Sequence, residues 1–81
     1  MNGYLITFRS VTPAQRGENI LRKNGLDCHL GRTPRWMEEQ GCGYSLRVND
    51  GIGAVSILRA HGVPFRKVYL QRNGKAEEVE L

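Results

Sequence analysis

The residues of this 81-residue sequence best suited to chemistry are its two cysteines. Cys42 stands between Gly41 and Gly43 in GRTPRWMEEQGCGYSLRV, residues 31–48. Arg32 and Arg35 lie shortly before it. The thiolate is the reactive form of cysteine, and nearby cations or a helix N-terminus lower a thiol's pKa from its ordinary ~8.5. Flanking glycines leave the sulfur open and let the backbone take positive φ. Such a set permits an exposed, activated thiol that works by thiol exchange. The competing reading is an ordinary turn cysteine. Cys28 differs: in LDCHL it alternates with Leu26 and Leu30 onto one face. That is the pattern of a small, buried apolar side chain. Whether Cys28 and Cys42 form a disulfide is open at this level.

Other chemistries find little footing. Two cysteines and two histidines, spread from Cys28 to His61, show no metal-ligand spacing. Neither a metal nor a cofactor is expected. His29 falls on a strand face and His61 at a helix end, and neither has a partner that would make it a base. Glu38-Glu39 and Glu77-Glu78 read as solvated charge. The net charge is +4, and all twelve cations except Lys23, Lys67 and Lys75 are arginine. They are scattered, with no basic block to act as a nucleic-acid tail.

A reactive Cys42 needs elements to hold it. Tyr4, Ile6 and Phe8 alternate with Leu5 and Thr7, as in a strand. A helix follows, with Thr12 as N-cap and Pro13 at its first position. Its apolar stripe is Val11, Ala14, Gly17, Ile20 and Leu21, and Gly25 ends it. Residues 26–30 are the second strand, 31–43 a long loop and 44–48 the third strand. Asn49 or Asp50 caps a second helix of about ten residues with Ile52, Val55, Ile57 and Leu58 on its apolar side. Residues 64–70 are the fourth strand. Asn73-Gly74 marks a two-residue hairpin turn, and residues 76–81 return as a fifth strand. ILRKNGL at 20–26 and ILRAHGV at 57–63 match, each a helix end followed by a glycine and an apolar residue.

Two strand–helix–strand halves give an α+β fold, a ferredoxin-like βαββαβ sandwich with both helices on one face of an antiparallel sheet. An extra C-terminal hairpin strand follows. The outer face would carry Leu5, Thr7, Asp27, His29, Ser45, Arg47, Phe65, Lys67 and Tyr69, a polar surface with enough apolar area for a weak homodimer. The length predicts one domain over 1–81, with a core at 4–70 and the hairpin strand at 75–81. In this topology the 31–43 loop lies at the same end as the first helix's N-terminus. Arg9 and Thr12 then join Arg32, Arg35, Gly41 and Gly43 around Cys42. No run of eighteen apolar residues exists, and the N-terminus reads as a strand rather than a signal peptide. A cytoplasmic location is expected.

YLITFRSVTPAQRGENILRKNGLDCHLGRTPR followed by GCGYSLRV resembles the small bacterial selenium/sulfur carrier-like proteins, over about residues 4–70. Phe8, Ala14, Glu18, Thr33-Pro34-Arg35 and Cys42-Gly43 carry the likeness. The resemblance implies a carrier, rather than a true enzyme, that holds sulfur or selenium as a persulfide or selenopersulfide on Cys42. Its partners would be donor and acceptor proteins. Family loops often reach the Cys-Gly pair through serines, where this chain has Trp36-Met37-Glu38-Glu39-Gln40. The Cys-Pro-x-Pro motif of established sulfur carriers is absent.

Two rivals follow from the fold alone. An RNA-binding sheet stacks bases on aromatics of its first and third strands. The outward residues there are Leu5, Thr7, Ser45 and Arg47, without an aromatic, so nucleic acid is not the expected partner. A small regulatory or interaction domain, binding an anion or a protein without covalent chemistry, is the alternative. It predicts that Cys42→Ser changes nothing.

Overall fold

The computed structural model describes residues 3–33, 43–72 and 74–81. The elements in chain order are β1 (Gly3–Phe8), α1 (Val11–Lys23), β2 (Cys28–Arg32), β3 (Tyr44–Val48), α2 (Gly51–Ala60), β4 (Val68–Arg72) and β5 (Lys75–Val79). One sheet runs β2-β3-β1-β4-β5, with every neighbouring pair antiparallel. It is therefore not the four-stranded sheet of a plain βαββαβ sandwich, because β5 adds a strand beyond β4.

Alternation along the strands decides the core. Ile6 pairs with Leu46 and Val68, and Cys28 pairs with Val48, so these residues share one sheet face. They form one cluster with Ala14 and Leu21 of α1 and Ala54, Val55 and Leu58 of α2. Both helices thus cover the same face. Burying each larger side chain of this cluster contributes about 1.5–3 kcal/mol. Gly17 sits where α1 meets α2 and the sheet. A Cβ there would lie 3.1 Å from Leu58 Cδ2 and 3.3 Å from Leu46 Cδ1. Close approach therefore offsets the helix-propensity cost of this glycine.

The repeated heptad records two identical helix ends. After α1, the N–H of Gly25 donates to Arg22 O and that of Leu26 to Leu21 O. After α2, Gly62 donates to Arg59 O and Val63 to Leu58 O. Gly25 (φ 80°) and Gly62 (φ 67°) supply the left-handed residue that this motif needs. The helix-capping position is Asn24, with Gly25 one residue beyond it.

Several boundaries differ from the sequence-based expectation. α1 starts at Val11 with Ser10 as N-cap, so Thr12 lies inside the first turn and is not the cap. Pro13 fits there because first-turn N–H groups have no intrahelical acceptor. β2 covers 28–32 rather than 26–30, since Leu26 is used in closing α1. Arg32 is thus a strand residue, not a loop residue. β4 covers 68–72 rather than 64–70. Ahead of it, Arg66 N–H donates to Thr7 O while Thr7 N–H donates to Lys67 O. Two residues face one, a bulge, and the Thr7 hydroxyl completes it by accepting from Lys67 N–H at 3.1 Å. β5 covers 75–79 rather than 76–81, and Arg72 pairs with Lys75 across the expected two-residue turn. Gly74 has φ 78°, and Asn73 lies outside the described residues. In α2, Asp50 is the cap, accepting from Gly53 N–H at 2.9 Å. Ile52 is 68% exposed rather than on the apolar side, where Ala54 takes its place.

The outer sheet face also departs from expectation. Leu5, Thr7 and Ser45 are buried there. β1 is the central strand, and Leu5 is flanked in register by the long side chains of Arg47 and Tyr69. The middle of this face is therefore a second, smaller buried layer rather than a wet surface.

Candidate functional site

The antiparallel hairpin of β2 and β3 frames the candidate site. Arg32 pairs with Tyr44, and one step further Thr33 N–H donates to Gly43 O at 3.1 Å. Residues 34–42 connect these two ends. Tyr44 also pairs with Phe8, so Arg9 and Ser10 follow at the same end of the sheet. The N-terminus of α1 begins there.

That helix end receives no side-chain cap from its own residues. Ser10 makes no side-chain capping bond, and the first turn contains no acidic residue. The N-terminal N–H groups and the positive end of the helix dipole therefore meet no carboxylate of their own turn. Arg9 and Thr12 are exposed beside it. Arg32 holds its guanidinium 5.8 Å from the centre of the Tyr44 ring. This is a cation–π contact across the strand pair. Gly43 is buried at the foot of β3.

Arg9, Thr12, Arg32 and Gly43 are thus brought to one end of the sheet. Arg35, Gly41 and Cys42 lie outside the described residues. Arg32 reaches the site from a strand and Thr12 from within a helix turn.

In the sequence Thr33 stands out only as part of the Thr33-Pro34-Arg35 likeness. Its side chain is buried at 8% exposure, and its hydroxyl oxygen has no hydrogen-bond partner among the described residues. Leaving a buried hydroxyl unpaired costs about 1–3 kcal/mol. Continuing the two-residue alternation from His29 through Gly31 would have placed Thr33 on the same face as Ser45. Burial of that face could not be read from the pattern. Thr33→Val keeps the shape and removes the orphan. We expect it to raise stability by roughly 1 kcal/mol in urea unfolding. A loss of stability would mean that the hydroxyl is satisfied in solution.

Cys28 is a free, buried thiol at the far end of β2. Its Sγ lies 3.7 Å from Glu18 O, in the geometry of a weak S–H donor. Burial pushes its pKa up, and the adjacent Arg22 only partly opposes this. It is a core residue, as the alternation with its neighbours predicted, and its raised pKa keeps it protonated at neutral pH. Among the described residues no group of His, Cys, Asp and Glu could hold a metal ion. Among the described residues no helix is long and apolar enough to cross a membrane.

A family model described as Putative Se/S carrier protein-like matches residues 3–70. The match runs from the first residue of β1 into β4 and spans both helices and the whole β2–β3 hairpin. No curated protein matches the chain. No solved structure matches it either.

Proposed function

We propose, from the premise that the chain belongs to the Putative Se/S carrier protein-like family, that it carries one sulfur or selenium atom on Cys42 and passes it between proteins. The observation that supports this reading most is the shared sheet end. The strand that follows Cys42 begins beside an uncapped helix N-terminus, with Arg9 and Arg32 at the same end. Both features favour an anionic sulfur. In the loading step the Cys42 thiolate attacks the terminal sulfur of a donor persulfide, R–S–SH. A new S–S bond forms, the donor S–S bond breaks, and the donor leaves as a thiolate. Delivery repeats the step with an acceptor thiolate, so no external oxidant or reductant is consumed. The partners are donor and acceptor proteins, and the protein is a carrier rather than a catalyst of net turnover. A reducing cytoplasm suits a free Cys28.

The same reading takes residues 1–81 as one domain. Its first four strands form a ferredoxin-like sandwich, and β5 is an appended edge. The position of β1 between β3 and β4, and the core shared by both helices, support it.

Intact mass after incubation with a persulfide donor tests the carrier role. The wild-type chain and Cys28→Ser should each gain one sulfur that a reductant removes, and Cys42→Ser should gain none. Loading of Cys42→Ser, or loss of loading in Cys28→Ser, would overturn the assignment. No Cys28–Cys42 disulfide should appear on mild oxidation. Cys28 and Thr33 lie five residues apart along one strand direction, about 17 Å at strand rise. A disulfide requires Cα atoms within about 7 Å. One peptide bond from Gly43, Thr33's partner, spans only about 3.8 Å.

A further inference from the structure

β2 is an edge strand, and the direction of its backbone groups follows from the register. Thr33 N–H bonds Gly43 O, so residues 33 and 43 are a hydrogen-bonded pair. Antiparallel ladders alternate bonded and non-bonded pairs. The pairs 31/45 and 29/47 are therefore bonded. The backbone groups of residues 28, 30 and 32 point away from β3. Arg22 bears this out, because its Nη2 reaches the outer edge and donates to Cys28 O at 3.2 Å. Leu30 has both an N–H and a C=O facing outward.

Among the described residues the surroundings of this edge are open and basic. A Cβ built at Gly31 would meet no atom within 4 Å. An open cavity of about 770 Å³ lies at the N-terminal end of β2, lined by Arg22, Cys28, His29, Arg47 and Asn49, with Asp27 as its acidic group. Arg22 is paired with Glu18 at 3.3 Å. Arg47 is exposed, and no ion pair holds it among the described residues. The opposite edge, β5, carries exposed Glu77 and Glu78. Charged side chains of that kind discourage strand pairing.

We propose that the β2 edge docks an extended, acidic segment of a partner protein. The segment pairs with the outward N–H and C=O of Leu30 as an added strand and lays carboxylates against Arg47 and His29. This is β-augmentation: backbone bonds supply binding, and side chains supply selectivity. A second copy of this chain fits less well through β2, since both edges would bring the same basic residues together. The inference does not depend on what Cys42 carries.

The test uses the whole ¹⁵N-labelled chain and a blocked decapeptide of alternating valine and glutamate. Amide exchange at Leu30 should slow on titration, with shift changes centred on residues 28–32. Arg47→Glu, checked for an unchanged melting temperature, should weaken binding at least about tenfold, as expected for loss of an anchoring charge. The same peptide N-methylated throughout keeps its carboxylates but cannot pair, and should also bind at least about tenfold more weakly. Equal binding of the N-methylated peptide would reduce the contact to unspecific charge attraction and overturn the proposal. So would shifts confined to β5 or the helices. A slow, concentration-dependent Leu30 amide without peptide would show that a second copy occupies the edge, and would overturn the choice of partner.

Discussion

Gly51→Ala will destabilise the domain by about 3 kcal/mol, the upper part of the range for overpacking a filled site. Gly51 is the first residue of α2 and is buried against the ring of Tyr4. A methyl group there would fall on the ring itself, within 2.6 Å of Cδ2 and also against Cγ. Cγ is the root of the ring, so a small rotation of Tyr4 does not relieve the clash. Either β1 or the start of α2 must shift. For a domain of this size the melting temperature should fall by about 12–24 °C. Gly17→Ala is the informative contrast. Its new methyl meets the ends of leucine side chains at 3.1 and 3.3 Å, and it gains about 1 kcal/mol of helix propensity. Its net effect should stay within about 1 kcal/mol of zero. Calorimetry on both variants checks this. A Gly51→Ala melting temperature within a few degrees of wild type would refute the Tyr4 contact as a packing constraint. Tyr4→Ala should cancel most of the Gly51 penalty, a coupling that a double-mutant cycle reads directly.

Alkylation at neutral pH will separate the two cysteines by at least about 100-fold in rate. Cys28 is 3% exposed and protonated by burial. It reacts only after the core opens. About 2.7 kcal/mol of opening free energy already gives a hundredfold protection, and core elements usually exceed that. The proposed carrier role requires Cys42 to react as a thiolate without such an opening step. Mass mapping after a short exposure to iodoacetamide should find the label on Cys42 in the folded chain and on both cysteines in urea. Prior labelling of Cys28 would sink the assignment of roles. A pH dependence follows with a definite sign. The raised pKa of Cys28 means that the folded state keeps this proton more tightly than the unfolded chain does. Its contribution to stability is complete below the ordinary thiol pKa. It is lost as pH rises from about 8.5 through the raised value. Cys28→Ala should flatten the alkaline side of the stability profile.

Much of the fold was legible because its signals are local. Asp50 caps α2, and the strand 44–48 is read correctly to the residue. The glycine-terminated helix ends appear twice with the same bonds, as the repeated heptad implied. Misplaced boundaries arose where two local signals compete. Ser10 and Thr12 both qualify as caps, and the extended backbone of Ser10 (φ −146°, ψ 172°) decides between them. Leu26 alternates correctly for a strand, yet its N–H closes α1. Of the candidate site, Arg9, Thr12, Arg32 and Gly43 reach one end of the sheet.

By itself the sequence determined which residues alternate, where each helix stops, that Cys28 belongs to the core, and which family the chain resembles. These follow from spacing and from residue types whose preferences act over a few positions. The tertiary structure alone decided that Leu5, Thr7 and Ser45 are buried on the face away from the helices. It also decided that the Thr33 hydroxyl has no partner among the described residues, that Gly51 must be small for Tyr4, and that β2 stands at the edge of the sheet. Each depends on which distant segment lies across a residue. Tyr4 and Gly51, like Leu5 and Tyr69, are far apart in the chain, and no short-range pattern encodes their meeting.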